Sequence, residues 1–164
     1  LTGTAIKATI IAIILMLVYI SIRFEILSGI AAVLTLCHDL VIVLFAYSLF
    51  GIPMDITSIA VVLTILGYCI NAVIIIFDRV RENLKNVGPR KNFGDVVNES
   101  IWQTMNRSLN TTITTLLPLI MLCILGVTSI RNFAFPILIG IVAGLYSSVF
   151  VSGSIWVMLH GKKK

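Results

Sequence analysis

The sequence predicts an all-α membrane protein: a polytopic bundle of five transmembrane helices with an amphipathic helix at the cytoplasmic interface. Of its 164 residues, 59% are hydrophobic and only 12% are charged, against about 25% charged in average soluble domains. Residues 56–77, 108–130 and 132–161 contain no Asp, Glu, Lys or Arg. Since about 20 apolar residues in a helix cross the bilayer core, this pattern excludes a soluble enzyme, a disordered chain and a disulfide scaffold.

Five helical spans fit the apolar runs, and together they form a single transmembrane domain over residues 1–164. The first span is the shortest, because it is uncharged only between Lys7 and Arg23. It crosses the membrane if both of these side chains extend outward to the interfaces. The predicted spans are 5–22, 26–50, 56–77, 109–128 and 133–159, with a cytoplasmic loop over 78–107.

The long polar segment 78–107 is interrupted at Gly88-Pro89 and Gly94, which are typical breaks between helices. After Asp95, apolar residues recur every four positions beside Trp102, a spacing that indicates an amphipathic helix. This helix is predicted to lie at the membrane interface and then to run into the fourth span. Its apolar positions are Val97, Ile101, Met105 and Leu109.

The charges between the spans predict the orientation. Ten of the twelve Lys and Arg residues fall on one side of the five spans and two on the other, so the first side is predicted to be cytoplasmic. The N-terminus is then outside the inner (cell) membrane and the C-terminus inside, and we expect an upstream span and an exported region. The net charge of +5 follows from this topology, and no nucleic-acid partner is predicted. The ten are Arg23, Arg79, Arg81, Lys85, Arg90, Lys91, Arg107 and Lys162 to Lys164, and the two are Lys7 and Arg131.

Ionisable residues within a span are candidates for function, because burying one costs roughly 2.5 kcal/mol or more. His38 and Asp39 fall near the middle of the second span, and Thr35 lies one turn before Asp39 on the same face. Two interpretations stay open for this pair. It is either a structural hydrogen-bonded pair to a neighbouring helix or part of an ion pathway.

Two further polar stripes occur at helical spacing in the third and fourth spans. They predict a shared polar interior, with ordinary interhelical hydrogen bonding as an equally weighted alternative. The stripes are Thr64, Gly67, Asn71 and Asp78 in one span, and Arg107, Thr111, Thr114 and Pro118 in the other. The candidates for an ion pathway are therefore Asp39, His38, Asn71, Arg107 and Thr111.

The fifth span carries small residues every four positions, namely Gly140, Gly144, Ser148 and Ser152. Such a strip lets helix backbones approach closely, so we expect tight packing against another helix, in this chain or in a partner. The sequence has no nucleophile–base arrangement, no phosphate-binding loop and no paired metal ligands. It therefore predicts no enzyme activity, no cofactor and no metal.

Several of these residues also resemble the signature of SecF-type proteins, in the SecD/SecF family of protein-export membrane proteins. The signature residues are Gly67, Tyr68, Asn71, Asp78, Arg79, Arg81, Glu82 and Asn83. Other stretches agree in the same order along nearly the whole chain. They are Tyr19 to Phe24, His38-Asp39, Arg107 to Leu116, Ser129 to Ala134, and Gly140 to Ser148.

The resemblance implies a member of the resistance-nodulation-division superfamily that pairs with a SecD-like subunit. Such proteins assist the SecYEG channel and pull exported, unfolded polypeptides outward with the energy of a proton or sodium gradient. The resemblance also implies that this chain corresponds to the second through sixth spans of a longer protein, without the first span and the periplasmic domain.

One position departs from the family pattern. The Asn at position 71 is usually followed in the family by Asp and Thr, and this sequence has Ala72 and Val73. The resemblance implies that this Asp carries the proton, so in this chain coupling is lost, is carried by another carboxylate, or is supplied by the partner. Two other functions stay open: a structural membrane subunit that conducts no ions, and half of another proton-driven exporter of the superfamily.

Overall fold

The protein is a bundle of helices. The computed structural model describes residues 2–23, 25–86 and 91–161, and within these ranges it contains helices and no strand. The prediction of a polytopic helical bundle is confirmed. In chain order the helices are α1 (Thr2–Arg23), α2 (Ile26–Leu49), α3 (Ile56–Asn86), α4 (Phe93–Leu125), α5 (Thr128–Tyr146), a π-helical turn (Ser147–Val151) and α6 (Ser152–Gly161).

Four helical segments of the described chain are long and apolar enough to cross a membrane. They are α2, α3, α4 and the continuous segment Thr128–Gly161, which combines α5, the π-helical turn and α6. The first predicted span differs, because the apolar stretch described in α1, Ile10–Ile20, is too short to qualify. Lys7 interrupts the apolar sequence before this stretch.

The segment predicted as a loop is largely helical. Helix α3 continues beyond the apolar run to Asn86, and α4 begins at Phe93, so both helices extend past the membrane-spanning part. The amphipathic helix forms and runs without a break into the fourth span, with Val97 buried and Trp102 exposed. The Gly88-Pro89 break, Arg90 and Lys162 to Lys164 lie outside the described residues.

Helix α3 is the centre of the bundle. It packs against α1, α2, α4, α5 and the π-helical turn. Its buried side chains recur at helical spacing and form one broad face along the helix, which is typical of an amphipathic helix packed against several neighbours. These buried positions include Val61, Ile65, Cys69, Val73, Ile76, Phe77 and Val80.

Helices α3 and α5 meet at the glycines of the small-residue strip. A Cβ atom on Gly140 would lie within 3.0 Å of three side-chain atoms of Ile65. A Cβ atom on Gly144 would overlap the Sγ atom of Cys69. The two backbones therefore approach as closely as they do because neither glycine has a side chain.

The small-residue strip continues through the π-helical turn. Ser147, Ser148 and Ser152 are fully buried, and their hydroxyls donate to backbone carbonyls of the preceding turn. A π-helical turn adds one residue to the local turn, so it shifts the register between α5 and α6. Even so, the last two serines of the strip remain inside the bundle.

The contact between α3 and α5 predicts a sharp difference between two glycine-to-alanine changes. Gly140→Ala forces Ile65 out of its position, and we expect a loss of about 1–3 kcal/mol in the free energy of unfolding, as in other overpacked cores. Gly67→Ala is the matched control, because nothing lies within 4 Å of a Cβ atom built there. Thermal unfolding of the purified protein in detergent checks both, and equal melting temperatures would contradict the packing model.

Candidate functional site

The most buried carboxyl group among the described residues is that of Asp39, which is 0% exposed. Its Oδ1 atom lies 3.3 Å from Nδ1 of His38, whose side chain is 39% exposed. Its Oδ2 atom has no hydrogen-bond partner among the described residues. Thr35, one turn earlier, donates its hydroxyl to the carbonyl of Ala31 at 2.8 Å rather than to Asp39.

The surroundings of Asp39 come from the central contact of the bundle. The thiol of Cys69 on α3 lies beside the carboxyl group and is also the atom that Gly144 accommodates. Within the described residues, the one ion pair that Asp39 forms is with His38. A buried ionised carboxylate is costly unless a cation pairs with it, and the side chain placed to do so is that of His38.

A second polar cluster joins α3 to α4. Tyr68 donates its hydroxyl to Oγ1 of Thr112 at 3.0 Å, and Asn83 donates Nδ2 to Oγ of Ser100 at 2.8 Å. From the first contact to the second, the residue number rises along α3 and falls along α4, so the two helices are antiparallel. By interpolation between these two contacts, position 72 of α3 lies level with Ser108 of α4.

Position 72 also faces α4. Ala72 shares a stripe with Tyr68 and Arg79, which both hydrogen-bond to α4. The facing stripe of α4 is small, polar and buried, and it consists of Ser100, Thr104, Ser108 and Thr112. In this stripe the Oγ atom of Ser108 has no hydrogen-bond partner among the described residues. An orphaned hydroxyl therefore lies at the level where the resemblance described above implies an acidic residue.

Three other candidates from the sequence lie on the surface of this chain. Asn71, Arg107 and Thr111 are all exposed, and the Thr111 hydroxyl donates to the backbone carbonyl of Arg107 at 3.0 Å. The prediction that Arg107 and Thr111 face the interior was therefore wrong. The buried residues of the fourth span are the next ones in sequence, Ser108 and Thr112. Threonine satisfies its hydroxyl on its own helix, so its polarity does not indicate which face is buried.

The signature residues beyond the apolar run hold the extension of α3 against α4. Arg79 donates Nε to Oε1 of Gln103 at 2.6 Å and Nη1 to Oε2 of Glu82 at 2.7 Å. Asn83 reaches the same Gln103 oxygen at 3.0 Å. Asp78 and Arg81 make interactions of their own. Sequence reasoning missed Gln103, whose place on the polar side of an amphipathic helix is equally typical of a solvated residue.

This chain is similar to known proteins over nearly its whole length. The family model described as "Protein export membrane protein SecD/SecF, C-terminal" matches residues 1–162. The protein translocase subunit SecF of Alicyclobacillus acidocaldarius is 46% identical over 155 residues, which cover 93% of this chain and 50% of that protein. The subunit SecF of Petrotoga mobilis is 43% identical over 158 residues, covering 96% of this chain and 52% of that protein.

Solved structures give the same result. The crystal structure of SecDF, a translocon-associated membrane protein from Thermus thermophilus, matches with a TM-score of 0.90 and 39% identity, over 98% of this chain and 22% of that one. SecDF in its super-membrane-facing form matches with a TM-score of 0.82 and 40% identity, over 90% and 20%. The chain thus spans about half the length of these SecF relatives and about a fifth of the SecDF chains.

The cluster around Asn83 predicts a measurable loss of stability. Asn83→Ala removes the donor that links Ser100 and Gln103 to α3, and we expect the free energy of unfolding to fall by about 1–2 kcal/mol. The same change at the exposed Asn98 of α4 is the control and should have little effect. Chemical unfolding of the purified protein in detergent measures both variants, and an unchanged Asn83→Ala protein would mean that these hydrogen bonds do not hold the extension in place.

Proposed function

Since this chain belongs to the SecD/SecF family of protein-export membrane proteins, as its C-terminal part, we propose that it works as a SecF-type subunit of the protein translocase. The observation that carries the proposal is the family match over residues 1–162, which includes every described helix. In this role the subunit assists the export of unfolded polypeptides through the SecYEG channel in the inner membrane. It transports its substrate without altering it chemically, so it is not an enzyme.

The exposed polar face supports a SecD-like partner. Arg107 is exposed, and by the same interpolation it is level with residues 73 and 74 of α3, inside the uncharged run 56–77. A cation at that depth is costly against lipid, and such residues usually face another helix or a water-filled cavity. A partner helix that covers Asn71, Arg107 and Thr111 removes this cost and completes the subunit.

The energy for export comes, in this proposal, from a proton or sodium gradient. Two places in the chain suit an ion pathway: the buried Asp39 with His38, and the interface of α3 and α4 at position 72. The second place has no acidic residue: Ala72 stands where the resemblance implies an Asp, level with the unpaired Ser108 hydroxyl. This absence favours a second candidate function, a structural subunit that packs against its partners and conducts no ions.

Introducing an acidic residue at position 72 tests whether this chain drives export with an ion gradient or has only a structural role. We expect the chain as written to give weak gradient-driven export and Ala72→Asp to raise it, because an Asp–Arg pair in a low-dielectric site can hold and release a proton. The measurement is export of a reporter protein in a strain that lacks the native subunit, with the gradient intact and after it is collapsed. Ala72→Asn, which has the same shape and no charge, is the matched control and should not raise export.

Full gradient-dependent export by the Ala72 form would contradict this expectation and would point to Asp39 as the carrier. The Asp39→Asn variant then tests whether Asp39 carries the proton, because it keeps the size of the side chain and removes the group that binds the proton. Loss of gradient-dependent export in this variant would identify Asp39 as the carrier. If export is independent of the gradient in the unaltered chain and in the Ala72→Asp, Ala72→Asn and Asp39→Asn variants, the function is the structural role.

The orientation predicted from the charges has its own test. A reporter enzyme that is active only in the cytoplasm, fused after Lys164, is expected to be active, because the residues with most of the positive charge stay inside. A second fusion in the loop between α2 and α3, after Pro53, should be inactive with this reporter. Activity of the Pro53 fusion and silence of the Lys164 fusion would invert the proposed topology.

A further inference from the structure

A pocket of about 130 Å³ lies at the end of the bundle where α2 begins and α6 ends. Glu25 directly precedes α2, Arg81 follows the uncharged run 56–77, and His160 is in the last turn of α6. These positions mark the depth at which apolar helix surface gives way to lipid headgroups. The lining residues are Glu25, Ser28, Arg81, Leu84, Phe93, Trp156 and His160.

Two nitrogen atoms of this lining have no hydrogen-bond partner within the described residues. Trp156 is only 4% exposed, and its buried Nε1–H group is unpaired. Nδ1 of His160 is likewise buried and unpaired. The indole N–H group can only donate, and buried polar groups in folded proteins nearly always have partners. The Trp156 N–H group therefore indicates a ligand that brings a hydrogen-bond acceptor into the pocket, and Nδ1 of His160 can donate to or accept from the same ligand.

Aromatic packing holds both nitrogen atoms in place. The ring of Phe93 stacks on His160, with centroids 4.1 Å apart and planes 16° apart. Phe93 also meets Trp156 edge-on at 5.4 Å, and Trp156 packs against Phe77 at 4.5 Å. Since these side chains support each other, the positions of the two nitrogen atoms do not depend on the ligand, and little conformational freedom is lost on binding.

The charges of the lining are of both signs. Arg81 makes an interaction within the chain, but its guanidinium group has five donors and can also hold an oxyanion. Glu25 supplies a carboxylate to the same pocket, which disfavours a ligand that is only an anion. A ligand with a phosphate and a nearby ammonium group satisfies both charges.

We infer that this pocket binds the headgroup of a phospholipid that carries a primary amine, of the phosphatidylethanolamine type. The phosphate lies against Arg81, Trp156 and His160, and the ammonium group lies against Glu25. The acyl chains run along the outside of α2 and α6, where apolar side chains such as Ile26 and Met158 are 76% and 74% exposed. This site depends on the protein lying in a membrane and not on the role in export.

Lipid titration of the purified, delipidated protein tests the inference. Native mass spectrometry counts bound dioleoyl phosphatidylethanolamine, with dioleoyl phosphatidylglycerol and inorganic phosphate as separate arms. Trp156→Phe keeps the ring and removes the N–H group, and we expect about a tenfold loss of affinity for the amine lipid. Trp102→Phe is the matched control, because this side chain is 68% exposed on α4 and lies outside the pocket, and it should bind as the unaltered protein does.

Glu25→Gln separates the amine lipid from a simple anion. It should weaken phosphatidylethanolamine binding and leave phosphatidylglycerol binding unchanged or stronger. Melting temperatures of both pocket variants show whether each remains folded. The inference is overturned if both variants bind the amine lipid as the unaltered protein does, or if inorganic phosphate competes equally well and Glu25→Gln has no effect, since a free oxyanion is then the ligand.

Discussion

The close contact of α3 with α5 is the constraint on which the rest of this bundle depends. In a membrane, lipid tails are as apolar as leucine, so helices associate through close packing and hydrogen bonds rather than through the hydrophobic effect. Here Gly140 accommodates Ile65 and Gly144 accommodates Cys69. This contact fixes α3 at the centre, and it also places Cys69 beside Asp39. The packing of two glycines therefore determines the environment of this buried carboxyl group.

The polar residues of the bundle divide into two groups with different partners. Those that join α3 to α4 are satisfied within the chain, as between Tyr68 and Thr112. Those on the outer face, above all Arg107, find no ion pair within the described residues, and they fit a chain that functions beside a second subunit. Ala72 lies on the face of α3 that meets α4, level with the buried Ser108, whose hydroxyl has no partner among the described residues.

Much of this fold could be predicted from the sequence, because long uncharged runs and helical spacing have simple physical causes. The run of Val97, Ile101 and Met105 into the fourth span is an example. The buried face of α4 could not be predicted, because threonine hydroxyls bond to their own backbone and Thr111 resembles Thr112 in sequence. The extension of α3 to Asn86 was missed for another reason: it is stabilised by Gln103, which is distant along the chain.

Within the described residues Asp39 pairs only with His38 of its own helix, and this bears on how the chain enters the membrane during synthesis. An Asp at the centre of an inserting helix costs roughly 2.5–3.5 kcal/mol, whereas each Leu, Ile, Val or Phe contributes roughly 0.3–0.6 kcal/mol in favour. Helix α2 carries more than ten such apolar residues around Asp39, enough to offset that cost without a companion. Helix α2 can therefore pass from the insertion machinery into the bilayer as a single helix. Its carboxyl group meets α3 only afterwards, during assembly within the bilayer.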